Sequence, residues 1–80
     1  MIVLKEYSEF YNDVRESVKK RLACHGLNDE ELDEYLKSEE AQIKSEYRHY
    51  SEGNLPDGMT PEAFYTSCVN GVAMCLEYCY

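Results

Sequence analysis

The sequence predicts an all-α protein, a compact three-helix bundle built from a single domain spanning residues 1–80. Apolar residues recur at three- and four-residue steps through most of the chain. Helix-stopping residues cluster at Gly26 and between Gly53 and Pro61. The only strand-like run, Ile2 to Leu4, has no second strand to pair with and reads as a frayed helix start.

The first helix is expected from about residue 4 to 25. Tyr7, Phe10, Tyr11, Val14, Val18 and Leu22 trace one face, and Gly26 supplies the stop. Lys19, Lys20 and Arg21 sit where the negative end of the helix dipole favours cations, although the same cluster could hold an anion.

The second helix is expected over 29–51. Asn28 can cap it, Glu31 completes a capping box and Leu27 can staple to Leu32. Leu32, Tyr35, Leu36, Ile43, Tyr47 and Tyr50 form its apolar stripe. Glu39 and Glu46 project close to the centre of that stripe, so they either edge the bundle or meet something basic.

Gly53 to Met59 is a turn-rich loop, and Thr60 followed by Pro61 starts a third helix over 61–78. Thr66, Asn70 and Glu77 form the only polar stripe of that helix, so it is placed at the centre of the bundle. Ser67, Gly71 and Cys75 form a small-residue ridge that admits a close neighbour, and Val72 and Leu76 are a candidate dimer surface.

Composition narrows the function. With 44% hydrophobic residues and ten aromatics the chain can oppose its conformational entropy, as a disordered acidic tail cannot. No stretch approaches the roughly 18 apolar residues of a membrane span, and Lys5, Glu6 and Glu9 interrupt any signal peptide, so a cytoplasmic location is expected. Cys24, Cys68, Cys75 and Cys79 are expected as thiols rather than disulfides.

The net charge of −8 is concentrated. Residues 27–62 hold three basic and eleven acidic groups, whereas residues 63–80 hold Glu77 alone. Such a field disfavours direct binding to nucleic acid or anionic membrane and favours a protein partner with a basic surface.

Catalytic constellations are weak. Zinc could in principle gather Cys68, Cys75, Cys79, Cys24, His25 and His49, but the spacing lacks turn-borne knuckle pairs, so no metal or cofactor is expected. Cys24 and His25 point about 100° apart on a helix and cannot pair, and the cysteines of the third helix are expected to be buried and inert. The chain is read as non-enzymatic.

The remaining candidate is the acidic face of Asp29, Glu30, Asp33, Glu34, Glu39, Glu40 and Glu46. Acids in the first turn of a helix also complement its dipole, so part of the cluster has a structural use. As a phosphate-like array it could instead occupy a basic groove, with Tyr35, Tyr47, Tyr50 and Tyr80 as aromatic contacts.

The make-up of the chain, with the stretches YLKSEEAQIKSEY (35–47) and LPDGMTPEAFYTSCV (55–69), resembles small proteins carried on mobile elements of Gram-positive bacteria. At the level of class it is similar to phage and plasmid anti-defence proteins, including anti-CRISPR inhibitors and DNA mimics. That resemblance carries over no individual residue. It implies a stoichiometric inhibitor that blocks the nucleic-acid groove of a bacterial nuclease complex. The alternative is a homo-oligomeric regulatory or adaptor protein that pairs through its apolar third helix.

Overall fold

The computed structural model describes residues 5–80, so the Ile2–Leu4 run lies outside the described residues. The described residues are all-α but form four α-helices rather than three: α1 (Tyr7–Arg21), α2 (Asp29–Ser38), α3 (Glu40–Glu52) and α4 (Pro61–Cys79). A single 3-10 turn over Ala23–His25 follows α1 and ends at Gly26, whose φ of 69° is the left-handed conformation that closes many helices.

The expected continuous second helix breaks at Glu39. The Ser38 hydroxyl donates to the Tyr35 carbonyl over 2.6 Å, competing for an acceptor that the Glu39 amide also uses at 3.2 Å. Serine back-bonding of this kind bends helices, and Glu39 leaves helical geometry at φ −107° and ψ 16°. The run Lys37–Glu40 has no apolar side chain whose burial would hold the axis straight. The break also makes a new helix N-terminus, where Glu40 complements the dipole.

The other boundaries follow their caps. The Glu31 amide donates to Asn28 Oδ1 over 2.8 Å and the Asn28 amide donates to Glu31 Oε1 over 3.2 Å, which is a complete capping box. Thr60 Oγ1 accepts from the Ala63 amide at 3.1 Å ahead of Pro61. Between α3 and α4 the Met59 amide donates to the Pro56 carbonyl over 3.2 Å, with Gly58 at φ 80° supplying the third position of a type II turn.

The hub of the bundle is α1, which packs against every other helix, and α4 lies to one side against α1 and α3. This corrects the expected central position of the last helix. Cys68, Val69, Val72, Ala73 and Leu76 are buried on its inner side, while Met74 is 55% and Tyr78 92% exposed on the outer one. Its apolar count misleads because Ala63, Gly71 and Cys75 are small, so covering them would remove little area from water. The molecule measures 40 × 19 × 17 Å with a radius of gyration of 12.9 Å, against about 11.6 Å for a compact domain of this length. It is a rod, and such a shape leaves each helix an outer face.

Phe10, Val14, Val18 and Leu22 of the first segment meet Leu32, Leu36, Ile43 and Tyr50 in the core. Aromatic rings fill the end formed by α1, α3 and α4, with Phe10 lying 5.4 Å from Tyr47 and Tyr50 lying 5.1 Å from Tyr65 between ring centroids. Among the described residues no helix is long and apolar enough to cross a membrane.

Candidate partner-binding surfaces

The seven carboxylates of the acidic face divide into two sets. Arg15 reaches across from α1 to the start of α2, with Nε 2.7 Å from Asp33 and Nη2 3.6 Å from Asp29, and Lys19 lies 3.5 Å from Asp29. The hydrogen bond to Asp33 holds the Arg15 guanidinium still more firmly protonated. Glu40 accepts from the Tyr7 hydroxyl at 3.4 Å and lies 3.9 Å from Lys44. These three acids are therefore partly neutralised by the chain itself.

Glu30, Glu34, Glu39 and Glu46 make no ion pair among the described residues. Glu30 and Glu34 stand one turn apart on the exposed side of α2, whereas Glu39 and Glu46 are half-buried beside the bundle. Of the two placements expected for Glu39 and Glu46, the edge is the one adopted. The Glu46 carboxylate lies 4.0 Å from where a side chain on Gly71 would begin, at the junction of α3 with α4.

The proposed aromatic contacts are largely occupied by the fold. The Tyr35 hydroxyl donates to the Leu76 carbonyl at 2.6 Å, and the Tyr47 hydroxyl donates to the Lys5 carbonyl at 2.7 Å. Tyr50 accepts from the Lys5 amide at 3.1 Å and is 5% exposed. It is therefore corrected from a surface contact to a core residue. Tyr80 is 48% exposed, with its ring 4.9 Å from His25 and 5.1 Å from Tyr35. The Tyr65 hydroxyl donates to the Asp13 carboxylate, another tie between helices. No periodicity argument foretells these ties, because alternation shows which side a tyrosine faces and not what its hydroxyl meets.

Val72 and Leu76, the candidate dimer surface, are 1% and 0% exposed and belong to the core. At about 100° per residue they lie opposite Met74 and Tyr78, so an apolar count that ignored side-chain size chose the wrong side of α4. The cysteines also divide differently from expectation. Cys68 is buried, but Cys75 and Cys79 are exposed together with Cys24, and all four are free thiols. Burial pushes the Cys68 thiol pKa up, and the nearby Glu46 charge adds to the shift. Among the described residues no three His, Cys, Asp or Glu side chains converge to hold a metal ion.

The feature that the sequence reading left undeveloped is the outer face of α4. Ala63, Ser67, Gly71 and Cys75 follow one another at four-residue steps, and all are exposed, as are Met74 and Tyr78 beside them. The small-residue spacing and the charge-free stretch from Ala63 to Leu76 were its signals. Compared with protein-family models, with curated proteins and with solved structures, the chain finds no match.

Proposed function

We propose that this protein is a non-catalytic binding module whose partner is a protein with a basic surface. In its specific version it is an inhibitor of the anti-CRISPR or DNA-mimic type, encoded on a mobile element, that occupies the basic nucleic-acid groove of a bacterial nuclease complex. The supporting observation is the set of four carboxylates, Glu30, Glu34, Glu39 and Glu46, that make no ion pair among the described residues while Arg15 and Lys19 serve Asp29 and Asp33. An uncompensated field of this kind attracts basic surfaces from a distance and speeds encounter more than it tightens the final complex. The rod shape allows the negative charge to lie along a groove rather than at one point.

The test is affinity capture from host lysate, followed by direct binding to the captured protein across a salt series. The expected prey binds nucleic acid, and DNA or RNA competes it away. Binding should weaken as the screening length falls from about 10 Å at 0.1 M salt to about 3 Å at 1 M. Combining Glu30→Lys with Glu34→Lys should weaken it further at low salt. A partner held equally well by this variant and at every salt concentration would end the reading.

A further inference from the structure

The helices α3 and α4 run antiparallel, as the contacts show when taken in order. Tyr50 packs on Phe64 and Tyr65, with ring centroids 6.0 Å and 5.1 Å away. Glu46 lies beside Gly71, and Tyr35, just before the bend at Glu39, reaches the Leu76 carbonyl. The Tyr35 ring also lies 5.1 Å from that of Tyr80, so the segment that leads into Glu39 stands against the C-terminal end of α4. Gln42 and Glu46 of α3, with Glu39 immediately before its first residue, are spaced three and four residues apart and are all half-buried, so they follow the same seam. The seam thus has a carboxylate rim and a neutral floor of Gly71, Met74, Cys75 and Tyr78.

We propose that this seam docks an amphipathic, basic α-helix of the partner protein, an inference that rests on the reading of a basic partner given above. Small residues at Ser67 and Gly71 let a second helix axis approach to about 8–10 Å. Met74 and Tyr78 offer exposed apolar surface to the apolar stripe of the guest helix. Its lysine or arginine stems can lie along that surface and carry their charges to Glu46 and Glu39. Those two acids are seven residues apart, or about 10 Å along the axis, so the guest needs cations two turns apart.

A second copy of this chain fits the seam poorly. It would bring another net −8 to the interface. Lys5, Arg15, Lys19, Arg21 and Lys44 are already paired within the chain, leaving Lys20, Lys37 and Arg48 to offset the carboxylates of both copies. A basic guest helix removes that repulsion and supplies the missing counter-charge.

The experiment measures binding of two labelled synthetic helical peptides to the full-length protein by fluorescence anisotropy. Each has about twenty residues, enough to match the roughly 28 Å of α4. One carries a leucine stripe with lysines at seven-residue spacing, and the other has the same composition in scrambled order. Three variants are compared after circular dichroism has shown that each is folded: Gly71→Gln with Met74→Gln on the floor, Glu39→Gln with Glu46→Gln on the rim, and Glu30→Gln with Glu34→Gln on α2. The wild type should prefer the patterned peptide by about tenfold, which corresponds to about 1.4 kcal/mol. Floor and rim variants should lose that preference, and the α2 variant should keep it.

Equal binding of both peptides, weakened most by the α2 variant, would overturn the seam and leave the basic-partner reading standing. Absence of binding by either peptide would also overturn the seam, with the lysate capture still deciding the broader reading. A wild-type dimer in sedimentation equilibrium that the floor variant breaks would assign the seam to a second copy and overturn the proposal.

Discussion

The Tyr35 hydroxyl and the Leu76 carbonyl, 41 positions apart in sequence, meet at 2.6 Å and join α2 to α4. Leu76 lies in the last turn of its helix, where carbonyls lack intrahelical donors, and the Tyr80 amide bonds Glu77 instead. A side chain from another helix therefore finishes this helix end. Tyr35→Phe should cost about 1 kcal/mol, the value of one such hydrogen bond. Urea denaturation would show this as a lower midpoint at unchanged slope, and an unchanged midpoint would count against the tie.

Alkaline pH should loosen the same class of contact. Burial and then the Glu40 charge push the Tyr7 phenol from 10.0 up to about 12. Burial followed by the hydrogen bond to Asp13 pushes Tyr65 upward as well. The folded state holds these protons more tightly than the unfolded chain, so their contribution is fully present below the unfolded value near pH 10. It is lost as pH rises through the folded values. Stability measured between about pH 9 and pH 12 should fall, and Tyr65→Phe should make that fall shallower.

Two glycines should respond oppositely to alanine. Gly71 lies inside α4, and a methyl group there would meet only Glu46 Oε1, at 4.0 Å. Gly71→Ala should stabilise by about 0.5–1 kcal/mol through helix propensity. Gly26 is equally unobstructed but holds φ at 69°, so Gly26→Ala should destabilise by about 1 kcal/mol. Thermal melts of the two variants check both signs.

A maleimide probe should label Cys24, Cys75 and Cys79 promptly in the native protein, because all three are exposed. Cys68 is 4% exposed and its thiol pKa is raised, so it should react only as the chain opens. Mass spectrometry would show three adducts early and the fourth late. Four adducts appearing together would contradict the burial of Cys68.

Local signals in the sequence carried the helix boundaries well where a cap was encoded. Asn28 with Glu31, and Thr60 with Pro61, specify their helix starts through short-range hydrogen bonds, and short-range patterns contain that information. The break at Glu39 was hidden because Ser38 is compatible with a helix until its hydroxyl turns back onto the Tyr35 carbonyl. The placement of α4 was misjudged for a different reason. Helical periodicity ranks residues by polarity, while burial is decided by area, and alanine, glycine and cysteine have little to bury. Among the candidate site residues, Glu30 and Glu34 are as exposed as the pattern implied, but the neutralisation of Asp29 and Asp33 needed the approach of Arg15 from another helix. Only tertiary structure supplies such a pairing.

The elongated form has a further consequence. In a body 19 by 17 Å across, no helix can be fully enclosed by its neighbours, and each one is a wall as well as a support. A substitution facing inward on any helix acts on the whole cross-section, whereas one facing outward acts on its own helix and on what arrives from solution. This geometry lets the exterior diversify one side at a time, with the tyrosine hydroxyls keeping the rod assembled beneath it.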